Sequence, residues 1–279
     1  MTQDVAADRT PVALTIAGSD SSGGAGIQAD LKTFTVLGVY GASVLTALTA
    51  QSTRGVSGIL AVPPDFVREQ IDAVAGDFAI GAVKTGMLND RETVAVVVNA
   101  LKHHELRPLV VDPVIVATSG DTLLAPDAVQ AMRDELIPHA DILTPNLHEA
   151  ARLLDQPVAK DEAGMLAQAR ALLRLGCKAV VIKGGHGEGA EAVDLLVDGD
   201  AVTRLALPRI TTRNTHGTGC TFSAVIVANL ARGVPIKQSV SDAKRFVHEA
   251  LQSGARLVLG KGAGPVDVLC AVQKRSQRC

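Results

Sequence analysis

Aromatic residues are scarce: the chain of 279 residues has one Tyr, five Phe and no Trp. Single-stranded nucleic acids are usually held by stacking on aromatic rings, so this scarcity argues against that class of binding. It also obliges the core to be built from Val, Leu, Ile and Ala. A basic excess is missing too. The formal net charge is -2, which leaves no electrostatic footprint for a DNA or RNA backbone. No apolar run approaches the ~20 residues that a membrane helix needs. The first ten residues are polar and acidic, without the basic-then-apolar order of a secretory signal. The cysteines are few (Cys177, Cys220, Cys270 and Cys279) and show neither CxxC nor a metal-ligand spacing. Free thiols in a reducing compartment are therefore expected, and with them a cytoplasmic protein that binds no nucleic acid and no membrane.

Short apolar runs alternate with amphipathic stretches along most of the chain. Strands are expected at Pro11 to Ala17, Ala42 to Ala50, Gly55 to Val62, Ile80 to Lys84, Leu109 to Val111, Ile142-Leu143 and Ala179 to Ile182. Helices are expected from Ile27 to Leu37, Pro64 to Val74, Asp90 to His103, after Pro126, Leu147 to Leu154, Asp161 to Leu175, Gly217 to Ala231 and Pro235 to Leu259. Ala192 to Val197 and Ala201 to Leu207, joined through Asp198-Gly199-Asp200, read as a β-hairpin. Such alternation predicts an α/β fold with a mostly parallel central sheet covered by helices on both faces. No low-complexity linker divides the chain. The expected organisation is a flexible N-terminal extension over 1–10, one domain over 11–269 and a tail over 270–279.

Asn214-Thr215-His216-Gly217-Thr218-Gly219-Cys220-Thr221-Phe222-Ser223 is the most informative segment. A Gly- and Thr-rich turn runs into an apolar stretch spaced like a helix. Gly217 and Gly219 lack Cβ and let backbone N–H groups approach a ligand closely. The first N–H groups of a helix are unpaired and partly positive, so the turn is a candidate anion hole for phosphate. An ordinary N-cap would look the same by spacing alone. Other polar motifs follow successive strands: Gly18-Ser19-Asp20, Lys84-Thr85-Gly86-Met87, Asp112-Pro113, Thr144-Pro145-Asn146 and Lys183-Gly184-Gly185-His186. Ligands of open parallel sheets gather beyond the carboxyl ends of the strands, so these motifs together predict a polar cleft there.

Two familiar phosphate motifs fail. Gly254 to Gly262 has one residue too many between its glycines for a P-loop, and Gly262 stands where Ser or Thr must meet magnesium. Gly18 to Gly23 follows a strand but has the wrong glycine spacing for a dinucleotide fold.

The segment GSDSSGGAGIQADLKT, Gly18 to Thr33, resembles the N-terminal signature of hydroxymethylpyrimidine/phosphomethylpyrimidine kinases, members of the ribokinase-like superfamily that serve thiamine biosynthesis. The likeness continues in order through Leu48-Thr49-Ala50-Gln51, Lys84 to Leu88, Asp112-Pro113-Val114, Thr144 to Ala150, Lys183 to His186 and Asn214 to Ser223. It spans roughly Val12 to Val268. It implies a three-layer ribokinase-like sandwich and an ATP-dependent kinase of 4-amino-5-hydroxymethyl-2-methylpyrimidine and of its monophosphate.

The resemblance implies roles for particular residues. Asp30 on the first helix would contact the substrate, and Gln51 would offer its amide to the ring edge. Gly18, Ala25 and Met87 would shape the pocket, with Val114 as an apolar wall. Taken alone, Asp30 and Gln51 read as surface residues and Met87 as core. Asn146 and Glu149, three apart on one helix face, would organise Mg2+ and the triphosphate of ATP through water, with Asp112 assisting the metal. A capping Asn with a solvated Glu is the plain alternative. Lys183 and Thr218 would bind ATP phosphates, although a surface lysine would read the same.

Cys220 stands where most ribokinase-like enzymes carry an Asp base. A free thiol has a pKa of about 8.5, and a helix N-terminus lowers it. The expectation is a thiolate that takes the proton of the substrate hydroxymethyl group, with transferring phosphate opposing that charge. The N–H groups from Gly217 to Cys220 would stabilise the transferred group. A homodimer is also implied, although no segment identifies an interface. Three other readings stand beside this one: a pyridoxal kinase on the same scaffold, a thiol hydrolase using Cys220, and a pyrimidine sensor without activity.

Overall fold

A computed structural model of the chain describes residues 10–115, 124–185, 187 and 189–272. His186 and most of the expected extension and tail lie outside the described residues. The elements in chain order are β1 (Val12–Asp20), α1 (Gly26–Val36), β2 (Tyr40–Ser52), β3 (Gly55–Ala61), α2 (Pro64–Ala75), β4 (Ala82–Thr85), α3 (Arg91–His103), β5 (Leu109–Val111) and α4 (Pro126–Ala131). β6 (Ile142–Leu143), α5 (Leu147–Leu154), α6 (Glu162–Leu173), β7 (Ala179–Lys183), β8 (Glu191–Asp198), β9 (Ala201–Pro208), α7 (Thr218–Ala231) and α8 (Ile236–Gly254) complete it.

The strands form a single sheet in the order β3-β2-β1-β4-β5-β6-β7-β8-β9. β2, β1, β4, β5, β6 and β7 run parallel, while β3 at one edge and the β8–β9 hairpin at the other are antiparallel additions. Successive strand residues point to opposite faces, and both faces are covered. Leu14, Ile16, Val83, Leu109, Val111, Val180 and Ile182 pack with α2 to α6 on one side. Ala13, Ala82, Val110, Ile142, Ala179 and Val181 pack with α1, α7 and α8 on the other. The expected three layers are therefore present, and the continuous apolar runs are explained by burial on both faces.

The strand order reverses beside β1, whose neighbours are β2 and β4. A crevice opens at such a point beyond the carboxyl ends of the strands. The turns after β1, β4, β5, β6 and β7 all lie on that edge. Most boundaries shift by no more than two residues from the sequence reading, and two shift further. β1 runs on to Asp20 because the long β2 supplies partners, Leu48 for Ser19 and Thr49 for Asp20. α8 ends at Gly254 and not at Leu259. Its terminal carbonyl and that of Leu257 are taken by the Asn214 side-chain amide at 2.7 and 2.8 Å, which turns the chain away from the helix axis. That apolar continuation misled the periodicity: Val258 and Leu259 are exposed.

Candidate active site

The turn before α7 has the form of an anion hole. Gly217 is its N-cap in the left-handed region, φ 78°. The first i to i−4 bond of the helix is made by the Thr221 N–H to the Gly217 carbonyl, and the Thr218 N–H turns back to Thr215. The open donors are thus those of Gly217, Gly219 and Cys220, three of the four expected from the sequence. Thr218 uses its hydroxyl on the Thr215 carbonyl at 2.6 Å.

The loop after β1 lies against this turn. Asp20 is buried and organises the loop: Oδ1 accepts from the Ser22 N–H and hydroxyl, and Oδ2 accepts from the N–H groups of Gly24 and Ala25. Burial alone would raise its carboxyl. The bonds from His216, Ser22 and Ala25 outweigh it and hold Asp20 well below the usual carboxylate range. A Cβ on Gly217 would sit 1.8 Å from the Gly24 carbonyl oxygen, and one on Gly24 would sit 2.3 Å from the His216 ring. The two glycine loops therefore interlock, with no room for a Cβ on Gly24 or on Gly217.

Cys220 is partly exposed at the start of α7, with the Gly26 N–H directed at its sulfur. The structure corrects the expectation of a low thiol pKa. Burial pushes the thiol up to about 11; Lys84 pulls it down, and the carboxylates of Asp30 and Asp112 push it further up. Helix N–H groups do not overcome two nearby negative charges. Alkylation of Cys220 by iodoacetamide, followed by mass spectrometry, is expected to accelerate about tenfold per pH unit from pH 7 to 9, because the thiolate fraction grows by that factor below the pKa. Levelling below pH 8 would restore the thiolate reading.

Asp30 is wholly buried, and both of its oxygens are engaged. Oδ1 meets the Lys84 ammonium at 2.5 Å and Oδ2 accepts from Thr15 at 2.6 Å. Lys84 is equally buried. Burial raises the Asp30 carboxyl, an effect Lys84 opposes. This places Asp30 beneath the cleft and not on its surface. Lys84 also acts electrostatically on Cys220 and Asp112, so the pair lies under the reacting end.

On the far side of Cys220, Asp112 accepts from Lys183 at 2.9 Å, Thr144 at 3.1 Å and Ser223 at 2.9 Å. Burial would lower the Lys183 amine, but Asp112 and Glu149 raise it. Lys183 also crowds Gly219: a Cβ there would lie 3.2 Å from its Nζ. Asn146 and Glu149 form a reciprocal capping box on α5, 2.7 and 2.9 Å. The capping alternative is thus half right, since Glu149 is buried and not solvated. Burial pushes its carboxyl up to about 7, with Lys183 pulling it down and Asp112 adding to the rise. Two carboxylates around one ammonium leave a deficit of positive charge. An all-oxygen donor set of this kind fits Mg2+, which keeps waters and binds through one or two carboxylates and substrate phosphates. Among the described residues no group of three His, Cys, Asp or Glu side chains could hold a metal by itself. A magnesium ion would therefore have to arrive with its phosphates.

Gly18 and Met87, two of the residues expected at the pyrimidine, meet one another. Gly18 is buried beside Met87, whose sulfur would be 3.3 Å from a Cβ at Gly18. Met87 is itself buried, its carbonyl held by Thr46 at 2.6 Å. Ala25 caps α1. Val114 is partly buried against the core. Gln51, at the end of β2, lines a cavity of about 380 Å3 together with Thr53, Arg54, His216 and Gly262. Sequence reasoning passed over Asp20, His216, Lys84, Thr15 and Ser223 as site residues. All but Thr15 stand inside the polar motifs of the sequence, but nothing in their spacing shows that Lys84 meets Asp30 or that His216 meets Asp20.

Known proteins fit this geometry. The family model described as phosphomethylpyrimidine kinase matches residues 20–267. A hydroxymethylpyrimidine/phosphomethylpyrimidine kinase of Rhizobium meliloti is 56% identical over 257 residues, 92% of this chain and 96% of that protein. An ADP complex of Bacillus subtilis pyridoxal kinase superposes with a TM-score of 0.88 at 37% identity, covering 95% of this chain and 99% of that one. A phosphomethylpyrimidine kinase from Clostridium difficile 630 superposes with a TM-score of 0.77 at 42% identity, covering 86% and 99%. No helix among the described residues is long and apolar enough to cross a membrane.

Proposed function

The chain belongs to the phosphomethylpyrimidine kinase family, and from that premise we propose how its cleft carries out the chemistry. The enzyme phosphorylates 4-amino-5-hydroxymethyl-2-methylpyrimidine and then its monophosphate, in thiamine biosynthesis. The pyridoxal reading has a structural relative behind it, but at 37% identity against 56%. MgATP is the phosphoryl donor in this proposal, with the enzyme in the cytoplasm. Binding of ADP by the Bacillus subtilis relative supports an adenine nucleotide.

The observation that carries the reading is the convergence on Cys220 of the glycine turn before α7 with the charges of Lys84, Asp30 and Asp112. On one side, Gln51, Ala25, Gly18 and Met87 surround a place for the pyrimidine, with Val114 as a wall. On the other, Lys183 takes nucleotide phosphate and Asn146 and Glu149, with Asp112 nearby, hold Mg2+, whereas Thr218, expected at the phosphates, spends its N–H and hydroxyl on the Thr215 carbonyl and shapes the turn instead. Bound there, the metal would neutralise phosphate charge. The Gly219 and Cys220 N–H groups stabilise charge on the transferred group, as preorganised donors that need no reorientation during the reaction. A thiol near 11 is a poor base while free. Only its small thiolate fraction can take the proton of the attacking hydroxyl, ending as the neutral thiol once the oxygen is bonding to phosphorus. In the second step the acceptor is a phosphate oxygen, already ionised, and no base is needed. If two copies pair, the edge strand β3 offers exposed apolar side chains, Ile59 on one face of the sheet and Leu60 on the other.

Phosphorus NMR with MgATP and the hydroxymethylpyrimidine tests the proposal. A pyrimidine monophosphate is expected first and a diphosphate after it. Phosphorylation of pyridoxal alone in a parallel tube, or no ADP at all, would overturn it.

A further inference from the structure

One side chain touches both halves of the cleft. His216 immediately precedes Gly217, the cap of the anion-hole helix. Its Nε2 lies 2.7 Å from Asp20 Oδ2 and 3.5 Å from the side-chain amide nitrogen of Gln51. Asp20 in turn holds the N–H groups of Gly24 and Ala25 on the same oxygen. The His216 backbone is pinned as well, its N–H to the Gly264 carbonyl at 3.0 Å and its carbonyl to the Val266 N–H at 3.2 Å. The ring is buried. Nothing in the chemistry above uses it.

A carboxylate is an acceptor only, so a ring nitrogen 2.7 Å away must carry a hydrogen and donate it. That hydrogen is directed at an oxygen already receiving two backbone N–H groups from the loop after β1. The loop and the anion-hole turn are therefore tied at one atom. Below the tie, Gly24 and Gly217 pack so closely that neither segment can slide without moving the other. Beside it, Gln51 and the same ring line one cavity.

We propose that His216 is a positioning residue, which registers the pyrimidine half of the cleft against the phosphoryl-transfer half through its ring bond to Asp20. The inference rests on the reading above, in which Gln51 and Ala25 face the pyrimidine and Gly219 and Cys220 face the transferred group. Phosphoryl transfer needs the acceptor oxygen in line and near contact distance, and a misplacement of about 1 Å costs on the order of 100-fold in rate. Losing the tie therefore lowers turnover while leaving the nucleotide side, built on Lys183 and α5, intact.

The test has one arm without substrate and one with it. Nitrogen-15 NMR of histidine-labelled enzyme, with His216 assigned from the His216→Gln variant, is expected to show Nε2 carrying hydrogen at neutral pH. An unprotonated Nε2 overturns the proposal whatever the substrate is. In kinetics, His216→Leu is expected to lower kcat about 100-fold with the ATP KM within twofold of wild type. His216→Gln, whose amide can still donate to Asp20, is expected to recover most of that loss. Asp20→Asn is expected to mimic His216→Leu, and the double variant to be little worse than either, because both remove one interaction. A kcat within threefold of wild type in His216→Leu, no rescue by Gln, or multiplying losses in the double variant would each overturn it. Should His216→Leu not fold, wild-type turnover in Asp20→Asn does the same. Gln51→Leu separates the two readings: a pyrimidine KM that it leaves unchanged removes the assumed substrate pose, while a raised KM with inert His216 variants removes the positioning role alone.

Discussion

Gly217→Ala is expected to lower kcat at least about 100-fold while the protein remains folded. Two effects combine. The residue sits at φ 78°, where a Cβ costs about 1–3 kcal/mol. The same Cβ would stand 1.8 Å from the Gly24 carbonyl oxygen, so the turn must move. That movement displaces the Gly219 and Cys220 N–H groups, and loss of one such donor in comparable sites costs about 100- to 1,000-fold. Gly38→Ala is the control. It has nearly the same φ, 76°, but no atom within 4 Å of the added Cβ. It is expected to lose stability by about 1 kcal/mol and keep its kcat. Steady-state kinetics and circular dichroism on both variants decide the matter. A Gly217→Ala enzyme within tenfold of wild-type kcat would mean that the turn is a cap and not an anion hole.

Lys84→Met is expected to be the most destabilising single change in the cleft, by about 3–5 kcal/mol, because it strands a buried carboxylate. Asp30 is wholly buried, and without Lys84 it keeps only the Thr15 hydroxyl. A fall in Tm on the order of 10 °C follows for a chain of this size. The pH dependence has a definite sign. With its cationic partner gone, the Asp30 carboxyl is raised above its unfolded value in the folded state, so the native protein binds more protons than the unfolded one. Stability then falls as pH rises above about 4, and the Tm deficit against wild type is smaller at pH 5 than at pH 7. Adding Asp30→Asn should recover part of the loss, since it removes the orphaned charge. A Lys84→Met Tm within 2 °C of wild type at pH 7 would show that the pair is not a structural element. The same substitution also takes away the charge that pulls the Cys220 thiol down. Turnover of the rescued double variant therefore reports how much the thiol depends on it.

Local signals identified the elements because the local physics is strong here. Parallel strands buried on both faces appear as unbroken runs such as Leu109-Val110-Val111 and Ala179 to Ile182, and helix starts carry side-chain caps at Asp90, Asn146 and Asp161. The same strength produced the error at α8, where Leu257 to Leu259 continues an apolar period that the Asn214 amide interrupts from 43 residues away.

Residue types and their spacing were enough to establish the layered α/β fold, the edge on which the polar motifs gather, and the glycine turn before α7. Each depends on residue type and spacing within one element, and those are written along the chain. Only the tertiary structure decided which motifs touch. It set Asp30 beneath the cleft against Lys84, brought His216 onto Asp20, and put Lys183 on Asp112. It also decided the charge state at Cys220. A pKa depends on burial and on every charge within several ångströms, and Lys84, Asp30 and Asp112 reach that sulfur from three different elements. No spacing rule along the chain carries that sum.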